Sequence, residues 1–331
     1  VSVIFPIIML IFSIFFYCIS RKYFKMSGAI LKETCKLLLK YPSIFVVEFF
    51  EVLVMIALQV MFSLFIFATE ISGISKVMYV FIILTYFWIT ITFSYIIYMS
   101  ISGVASSWYF LYNTEYMPKF PILGSLKRAF TTSLGSAAFA GLLLAIVEFL
   151  EFLISEGSVG GGCIGCALSI LRCIALCVLR CLQCCIQYIN RYALVYCATF
   201  GVPYKEGCRR FMELKNTRFA NLVMNSCIIS QSTNYNMYIF SIGAALTAYG
   251  IGYGLYRHDS SYAKVFMAAF TFAFAFALFE LLRQPFVVIS DTLLVCFVEN
   301  PECLKSSTAD LYELLREFYD KGLNSKLHSK K

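Results

Sequence analysis

The sequence contains little charge: Asp, Glu, Lys and Arg together make up 14% of its 331 residues. A soluble domain needs about a quarter of its residues charged to cover its surface. Hydrophobic residues account for 60% of the chain, and the mean hydropathy is +0.78. This composition excludes a water-soluble fold and predicts a protein that crosses a lipid bilayer several times.

Histidine is also scarce, with only His258 and His328 in the whole sequence. Neither has a partner in a Ser/His, metal or phosphate-binding pattern, so we expect no enzyme, no cofactor and no metal site. The net charge of +8 resides mostly in links between apolar runs, where it indicates membrane orientation rather than nucleic-acid binding. The expected partners are the lipid bilayer and small solutes.

Seven apolar stretches approach the roughly 20 residues that a membrane span requires. The stretch that holds most of the 14 cysteines is interrupted by Arg172 and Arg180, and the last stretch is expected to continue past a kink at Pro285 to about Phe297. We predict an all-α polytopic protein, with a transmembrane domain at 1–300 and a cytosolic tail at 301–331. The seven stretches are 1–19, 43–67, 77–101, 131–154, 164–189, 236–256 and 264–284.

Basic residues concentrate in alternate links, which predicts the orientation of the chain. If 164–189 crosses the bilayer, every basic link and the C-terminal tail lie in the cytosol, and Val1 lies outside. The chain begins with Val inside an apolar run, so we expect it to be the C-terminal piece of a longer protein. The predicted location is a plasma or organellar membrane.

Two segments combine polar and apolar residues. In 28–41, Lys32, Lys36 and Lys40 recur every four residues, which is typical of a helix at the inner membrane surface or of a cytosolic extension of the next span. The segment 219–235 is too polar to face lipid. It is expected to form a cytosolic helix or to line a pathway.

Seven cysteines follow one helix face between 163 and 185. On a helix, the two CxxC pairs would lie about 27 Å apart, too far to share one zinc ion. Arg172, Arg180, Gln183 and Gln187 fall on the opposite face. Three interpretations of these cysteines remain: close packing of the thiols against neighbouring helices, S-acylation near the cytosolic end, and metal or redox chemistry. The seven residues are Cys163, Cys166, Cys173, Cys177, Cys181, Cys184 and Cys185.

Several motifs occur in a characteristic order. They are Gly103-Val-Ala-Ser-Ser-Trp-Tyr-Phe110, Pro118-Lys-Phe-Pro-Ile-Leu-Gly-Ser-Leu-Lys-Arg128, Ser133-Leu-Gly-Ser136, the cysteine-rich helix, Asn190-Arg-Tyr-Ala193, and Asp291-Thr-Leu-Leu-Val-Cys-Phe297 followed by Glu299-Asn-Pro-Glu302. Taken together over about residues 1–320, they resemble the choline transporter-like family of solute carriers.

The resemblance implies ten spans with both termini cytosolic, of which the last seven would be present here. It also implies transport of choline, or of a related cation such as ethanolamine, by alternating access. Many members carry His where Ser133 stands and an acid where Asn300 stands, which weakens a proton-coupled mechanism for this chain. These departures motivate an alternative: a transport-inactive structural subunit that keeps the family fold and has protein partners in a larger membrane assembly.

A site for a quaternary ammonium is expected to combine aromatic faces with a carboxylate, because this cation cannot donate a hydrogen bond. We predict Asp291, Trp108 and Glu51 as substrate-binding candidates. Each candidate has an alternative interpretation. Asp291 could cap a helix segment that restarts after Pro285, Trp108 could belong to an aromatic belt at the membrane interface, and Glu51 could be a carboxylate that reaches water at the membrane surface.

Two further pairs of charged residues are spaced to lie on one helix face. Glu148 and Glu151 are spaced to face one direction near the end of a span. Glu280 and Arg283 are spaced for an ion pair just before Pro285.

Overall fold

The computed structural model describes residues 18, 21–71, 76–112, 114–156, 163–214, 219–255 and 261–316, and the structural statements below concern these residues. All of their regular elements are helical, which confirms the predicted all-α class. A 3₁₀ turn at Arg21–Tyr23 leads into the first α-helix, and residues 309–316 are also helical. The α-helices are α1 (Phe24–Lys40), α2 (Ser43–Ile71), α3 (Lys76–Leu111), α4 (Pro121–Phe130), α5 (Leu134–Glu156), α6 (Cys163–Phe200), α7 (Tyr204–Leu214), α8 (Phe219–Leu255), α9 (Ser261–Glu299) and α10 (Glu302–Ser307).

Within these described ranges, five helices are long and apolar enough to cross a membrane, so the polytopic architecture is confirmed. The cysteine helix is one of them, despite its two arginines. The predicted span at 1–19 lies outside the described residues except for Cys18. The span predicted at 236–256 lies in α8, which is not among the five and remains a prediction. The five are Ser43–Thr69, Val77–Leu111, Leu134–Ser155, Leu168–Phe200 and Lys264–Glu299.

The chain divides into two compact units, which are described separately. The first unit comprises residues up to 45 and from 215 onward, and the second comprises 46–214. In the first unit, α8 and α9 form an antiparallel pair. Three contacts trace it from end to end: Ser226 hydrogen-bonds to Asp291, the Phe240 and Phe279 rings stack at 5.0 Å, and Lys264 lies over the Tyr253 ring.

The helix α1 is separate from the span that follows it. It ends at Lys40, and α2 begins at Ser43 after Pro42, so the interpretation of 28–41 as an extension of that span is wrong. Its buried face contacts α8 and α9. The apolar side is therefore covered by protein helices, while the three lysines are exposed. The buried apolar residues are Met26, Ile30, Leu37 and Leu38.

The helix α9 continues through Pro285 without a break. Asp291 is therefore an interior helix residue, and its interpretation as the cap of a restarted segment is wrong. The predicted local ion pair before the proline is confirmed, because Arg283 Nε donates to Glu280 Oε2 at 2.8 Å.

In the second unit, α3 contacts α4, α5 and α6, and α7 packs on α6. Small side chains fill much of the centre, which lets these helices approach closely. The polar face of α6 is directed at α5: Arg180 Nε donates to Glu151 Oε1 at 2.8 Å, and Gln183 Nε2 donates to Glu148 Oε1 at 3.2 Å. This unit's buried cluster includes Ile96, Met99, Ala129, Ala137, Ala140, Ala193, Leu194 and Cys197.

The cysteine face of α6 points away from these contacts. All five of its described thiols are exposed, so their close packing against helices of this chain is contradicted. The side chains of Cys163 and Cys166 lie outside the described part. The five exposed residues are Cys173, Cys177, Cys181, Cys184 and Cys185.

Candidate functional site

Polar side chains meet where α1, α8 and α9 pack together in the first unit. Ser226 Oγ of α8 donates to Asp291 Oδ1 of α9 at 2.5 Å, and Asp291 is only 1% exposed. Ser27 Oγ of α1 donates to Asn225 Oδ1 of α8 at 3.0 Å. The hydroxyls of Thr34 and Ser290 share a hydrogen bond at 3.1 Å between α1 and α9. We call these six residues the Asp291 cluster.

The Asp291 cluster is buried between these three helices. Asn225, Ser226, Ser290 and Thr34 are each at most 1% exposed. Burial of such groups is costly unless they are hydrogen-bonded, and each of the three helices supplies partners for the others. The cluster can therefore hold a carboxylate away from water inside a predicted span.

The polar segment 219–235 is the beginning of α8. The sequence left two predictions for this segment, a cytosolic helix or a segment that lines a pathway. Its buried position beside a candidate carboxylate favours the second prediction. The polar composition of this segment was the sequence signal for Asn225, whereas Ser226 was not predicted. Ser27 and Ser290 gave no such signal, because a single serine is common in apolar helices.

Glu51 is another buried carboxylate among the predicted candidates, and it belongs to the other unit. Its Oε1 accepts a hydrogen bond from Ser94 Oγ of α3 at 2.6 Å. Its Oε2 is buried, and no group among the described residues bonds to it. Glu51 is 5% exposed, so it is not a carboxylate that reaches water at the membrane surface.

Trp108 lies near the end of α3, 5% exposed, with its ring in edge contact with Tyr112. Ser94, the partner of Glu51, lies 14 positions earlier on the same helix, about 21 Å away along its axis. The structure therefore does not bring Trp108 and Glu51 together. Asp291 belongs to the other compact unit.

Asn190 forms a hydrogen-bond centre that we did not predict. Its amide nitrogen donates to Tyr95 Oη of α3 and to the Ala140 carbonyl of α5, both at 3.1 Å. Its amide oxygen accepts from Tyr204 Oη of α7. Burial raises the pKa of Tyr204, which keeps the phenol protonated and able to donate. The motif Asn190-Arg-Tyr-Ala193 was noted in the sequence, but the hydrogen-bond partners of Asn190 were not predicted.

Comparison with known proteins extends these observations. The family described as plasma-membrane choline transporter matches residues 4–302. Protein PNS1 of Debaryomyces hansenii is 27% identical over 94% of this chain and 66% of its own length. Protein PNS1 of Saccharomyces cerevisiae is 26% identical over 91% of this chain and 60% of its own length. A CTL-like protein of Dictyostelium discoideum is 27% identical, over 96% and 62%.

The chain thus spans about three fifths to two thirds of the length of these relatives. The match covers both compact units and all five membrane-spanning helices, and the motif order noted in the sequence lies within it. The chain belongs to the choline transporter-like family of multi-pass membrane proteins.

Proposed function

We propose that the full-length protein is a membrane transporter that moves a small organic cation, choline or ethanolamine, by alternating access. One observation carries the proposal: the Asp291 carboxylate is buried among polar groups of three helices, within a predicted span of a chain from this family. Intramembrane acids are costly and commonly mark ion or substrate pathways. A cation that reaches Asp291 would offset the cost of burying its charge.

The polar groups around Asp291 suit a substrate with one ammonium and one hydroxyl. The carboxylate would attract the cationic head, while hydroxyls and amides such as Ser290 and Asn225 would exchange hydrogen bonds with the substrate hydroxyl. Because the present bonds join different helices, a shift of α1 or α8 along α9 would change them. Alternating access requires rearrangement of this kind.

Glu51 is our second proposed contact. Its unbonded oxygen could accept a hydrogen bond from the primary ammonium of ethanolamine, and could attract choline by charge alone. Trp108 remains a candidate ring contact near the end of α3, at a different point of the path from Glu51.

We further propose that the C-terminus is cytosolic and that the protein has no enzymatic activity.

Uptake of labelled choline into proteoliposomes containing the full-length protein tests the proposal. Asp291→Asn removes the charge, keeps the shape and can still accept from Ser226. We expect saturable uptake by the wild type and a loss of at least tenfold in this variant. Asp310→Asn is the matched control, since Asp310 is exposed outside the spans, and it should stay within twofold of wild type.

Equal uptake by Asp291→Asn and wild type would remove Asp291 from the mechanism. Absence of saturable uptake by the wild type, for choline and ethanolamine alike, would contradict the transporter proposal. If such a protein were also purified only in fixed stoichiometry with other subunits, the alternative of a structural membrane subunit would be favoured.

A further inference from the structure

Two adjoining cavities open in the second unit, where α4 ends, α5 begins and α6 turns into α7. Their volumes are about 250 and 520 Å³, and both are lined by Thr132, Ser133 and Gly201. Gly201 has φ of 67°, a left-handed conformation that side chains disfavour, and it reverses the chain after α6. We call the two cavities together the basic pocket.

The basic pocket carries positive charge only. Arg128 lines one cavity and Lys205 the other, and no Asp or Glu is among their lining residues. Neither cation forms an ion pair with any carboxylate in the described part of the chain. The acid next to Lys205, Glu206, is engaged instead by Arg209 at 2.8 Å and Arg210 at 3.2 Å.

Hydrogen-bond donors add to this charge. Arg128 Nη2 donates to Ser125 Oγ at 3.1 Å, which holds the guanidinium at the wall. Thr199 lines the same cavity as Arg128, and its buried Oγ1 has no hydrogen-bond partner among the described residues. A buried hydroxyl without a partner is unfavourable. An acceptor that entered the pocket would satisfy it.

Two helices also begin at the basic pocket. The starts of both helices line it: α5 contributes Ser133, Gly135 and Ser136, and α7 contributes Pro203, Tyr204 and Lys205. The first turn of a helix has backbone N–H groups without intrahelical partners and carries partial positive charge. Both features favour anions, and phosphate groups are common ligands of such termini.

The basic pocket lies on the side of the chain that carries the basic links, which we predict to be cytosolic. Phe130, Phe139 and Phe200 are exposed around it, as expected where protein meets the lipid boundary. An organic cation would be repelled here, so the pocket is distinct in chemistry from the proposed transport site.

We propose that the basic pocket binds a phosphate monoester or phosphate ion, supplied by an anionic phospholipid headgroup or by the cytosol. Arg128 and Lys205 provide the charge, and Thr199 provides a hydroxyl donor. The first turns of α5 and α7 add backbone N–H donors other than those of Ser133, Ser136 and Tyr204, which are already hydrogen-bonded within the protein. This site is separate from cation transport and does not depend on it.

The test measures binding to the purified, delipidated full-length protein. The probes are a fluorescent short-chain phosphoinositide monophosphate, short-chain phosphatidylcholine and inorganic phosphate. We expect the phosphoinositide to bind at least tenfold more tightly than phosphatidylcholine, and its affinity to fall at least tenfold in Arg128→Gln/Lys205→Gln. Lys127→Gln is the matched control, because Lys127 is exposed on the same helix but does not line the pocket; it should change affinity less than twofold.

The competition arm separates the two sources. Displacement of the lipid probe by millimolar inorganic phosphate supports a phosphate-ion site, whereas binding that phosphate does not displace supports a lipid headgroup. Thr199→Val should weaken either ligand severalfold without changing the melting temperature, so that a folding defect is distinguished from a lost contact. Equal affinity of wild type and the double variant, or no binding of phosphoinositide and phosphate, would overturn the proposal whatever the choline uptake shows.

Discussion

Asn190 connects three helices of the second unit through one side-chain amide. The amide donates to Tyr95 and to the Ala140 carbonyl and accepts from Tyr204, and the residue is fully buried. An amide can serve in this way because it carries donors and an acceptor on the same planar group. Removal of the side chain leaves buried partners without hydrogen bonds.

We therefore expect Asn190→Ala to destabilise the protein by about 2–4 kcal/mol, since each unsatisfied buried polar group costs roughly 1–3 kcal/mol. The measurement is thermal or denaturant unfolding of the full-length protein in detergent micelles. Gln187→Ala, one turn earlier on α6 and exposed, is the control and should stay within about 0.5 kcal/mol of wild type. A similar small effect for both variants would contradict the role of Asn190.

At the scale of elements, α3 and α5 approach each other closely at Gly141. A Cβ added there would lie 2.5 Å from Thr92 Oγ1 and 3.2 Å from the Thr92 backbone. The backbone cannot move away as a flexible side chain can. Close contact of these two helices therefore depends on the absence of a side chain at this position.

Gly141→Ala should destabilise the α3–α5 contact by about 1–3 kcal/mol through overpacking, although alanine favours the helix. Gly135→Ala tests the same substitution on the same helix, where an added Cβ meets nothing within 4 Å. It should be neutral or slightly stabilising in the same unfolding measurement. Loss of stability in Gly135→Ala but not in Gly141→Ala would show that the helix contact has been assigned to the wrong face.

The helix α6 shows how two faces of one element differ in role. Arg180 and Gln183 pair with Glu151 and Glu148 of α5, while the five described thiols from Cys173 to Cys185 remain exposed. Polar pairing between helices is favoured inside a bilayer because lipid offers no alternative partners. Cysteine resembles a small hydrophobe and can face lipid at little cost.

At the scale of the whole molecule, the basic residues predict a single cytosolic side. Lys36 of α1 and Lys205 of α7 are both exposed, and each belongs to a link that the alternation of spans assigns to the cytosol. Lys76 is the only basic residue in the link between the second and third predicted spans, which is assigned to the opposite side. These assignments make the orientation testable with native residues.

In sealed vesicles of known orientation, an impermeant amine reagent should modify Lys36 and Lys205 together from the cytosolic side and Lys76 from the other. Mass spectrometry of the labelled peptides gives the readout, and permeabilised vesicles, in which all three should react, provide the control. Modification of Lys36 and Lys205 from opposite sides would contradict the predicted topology.

Much of the fold could be predicted because its signals are local. Five of the seven predicted spans are confirmed, including the cysteine helix with its two arginines, and so is the ion pair between Glu280 and Arg283. Each of these rests on residues a few positions apart, or on the mean hydropathy of about 20 neighbours. The last span continues past Pro285, as expected, but the alternative role of Asp291 as a helix cap was wrong, because packing can keep a membrane helix continuous through a proline.

The sequence by itself determined that the chain is helical and membrane-embedded, and it pointed to Asp291 and Glu51 as rare buried acids. Only the tertiary structure decided what surrounds them, since their hydrogen-bond partners Ser226 and Ser94 lie 65 and 43 positions away. Hydropathy and helical period are properties of neighbouring residues. Partners on other helices depend on how whole helices pack, and no local pattern records that geometry.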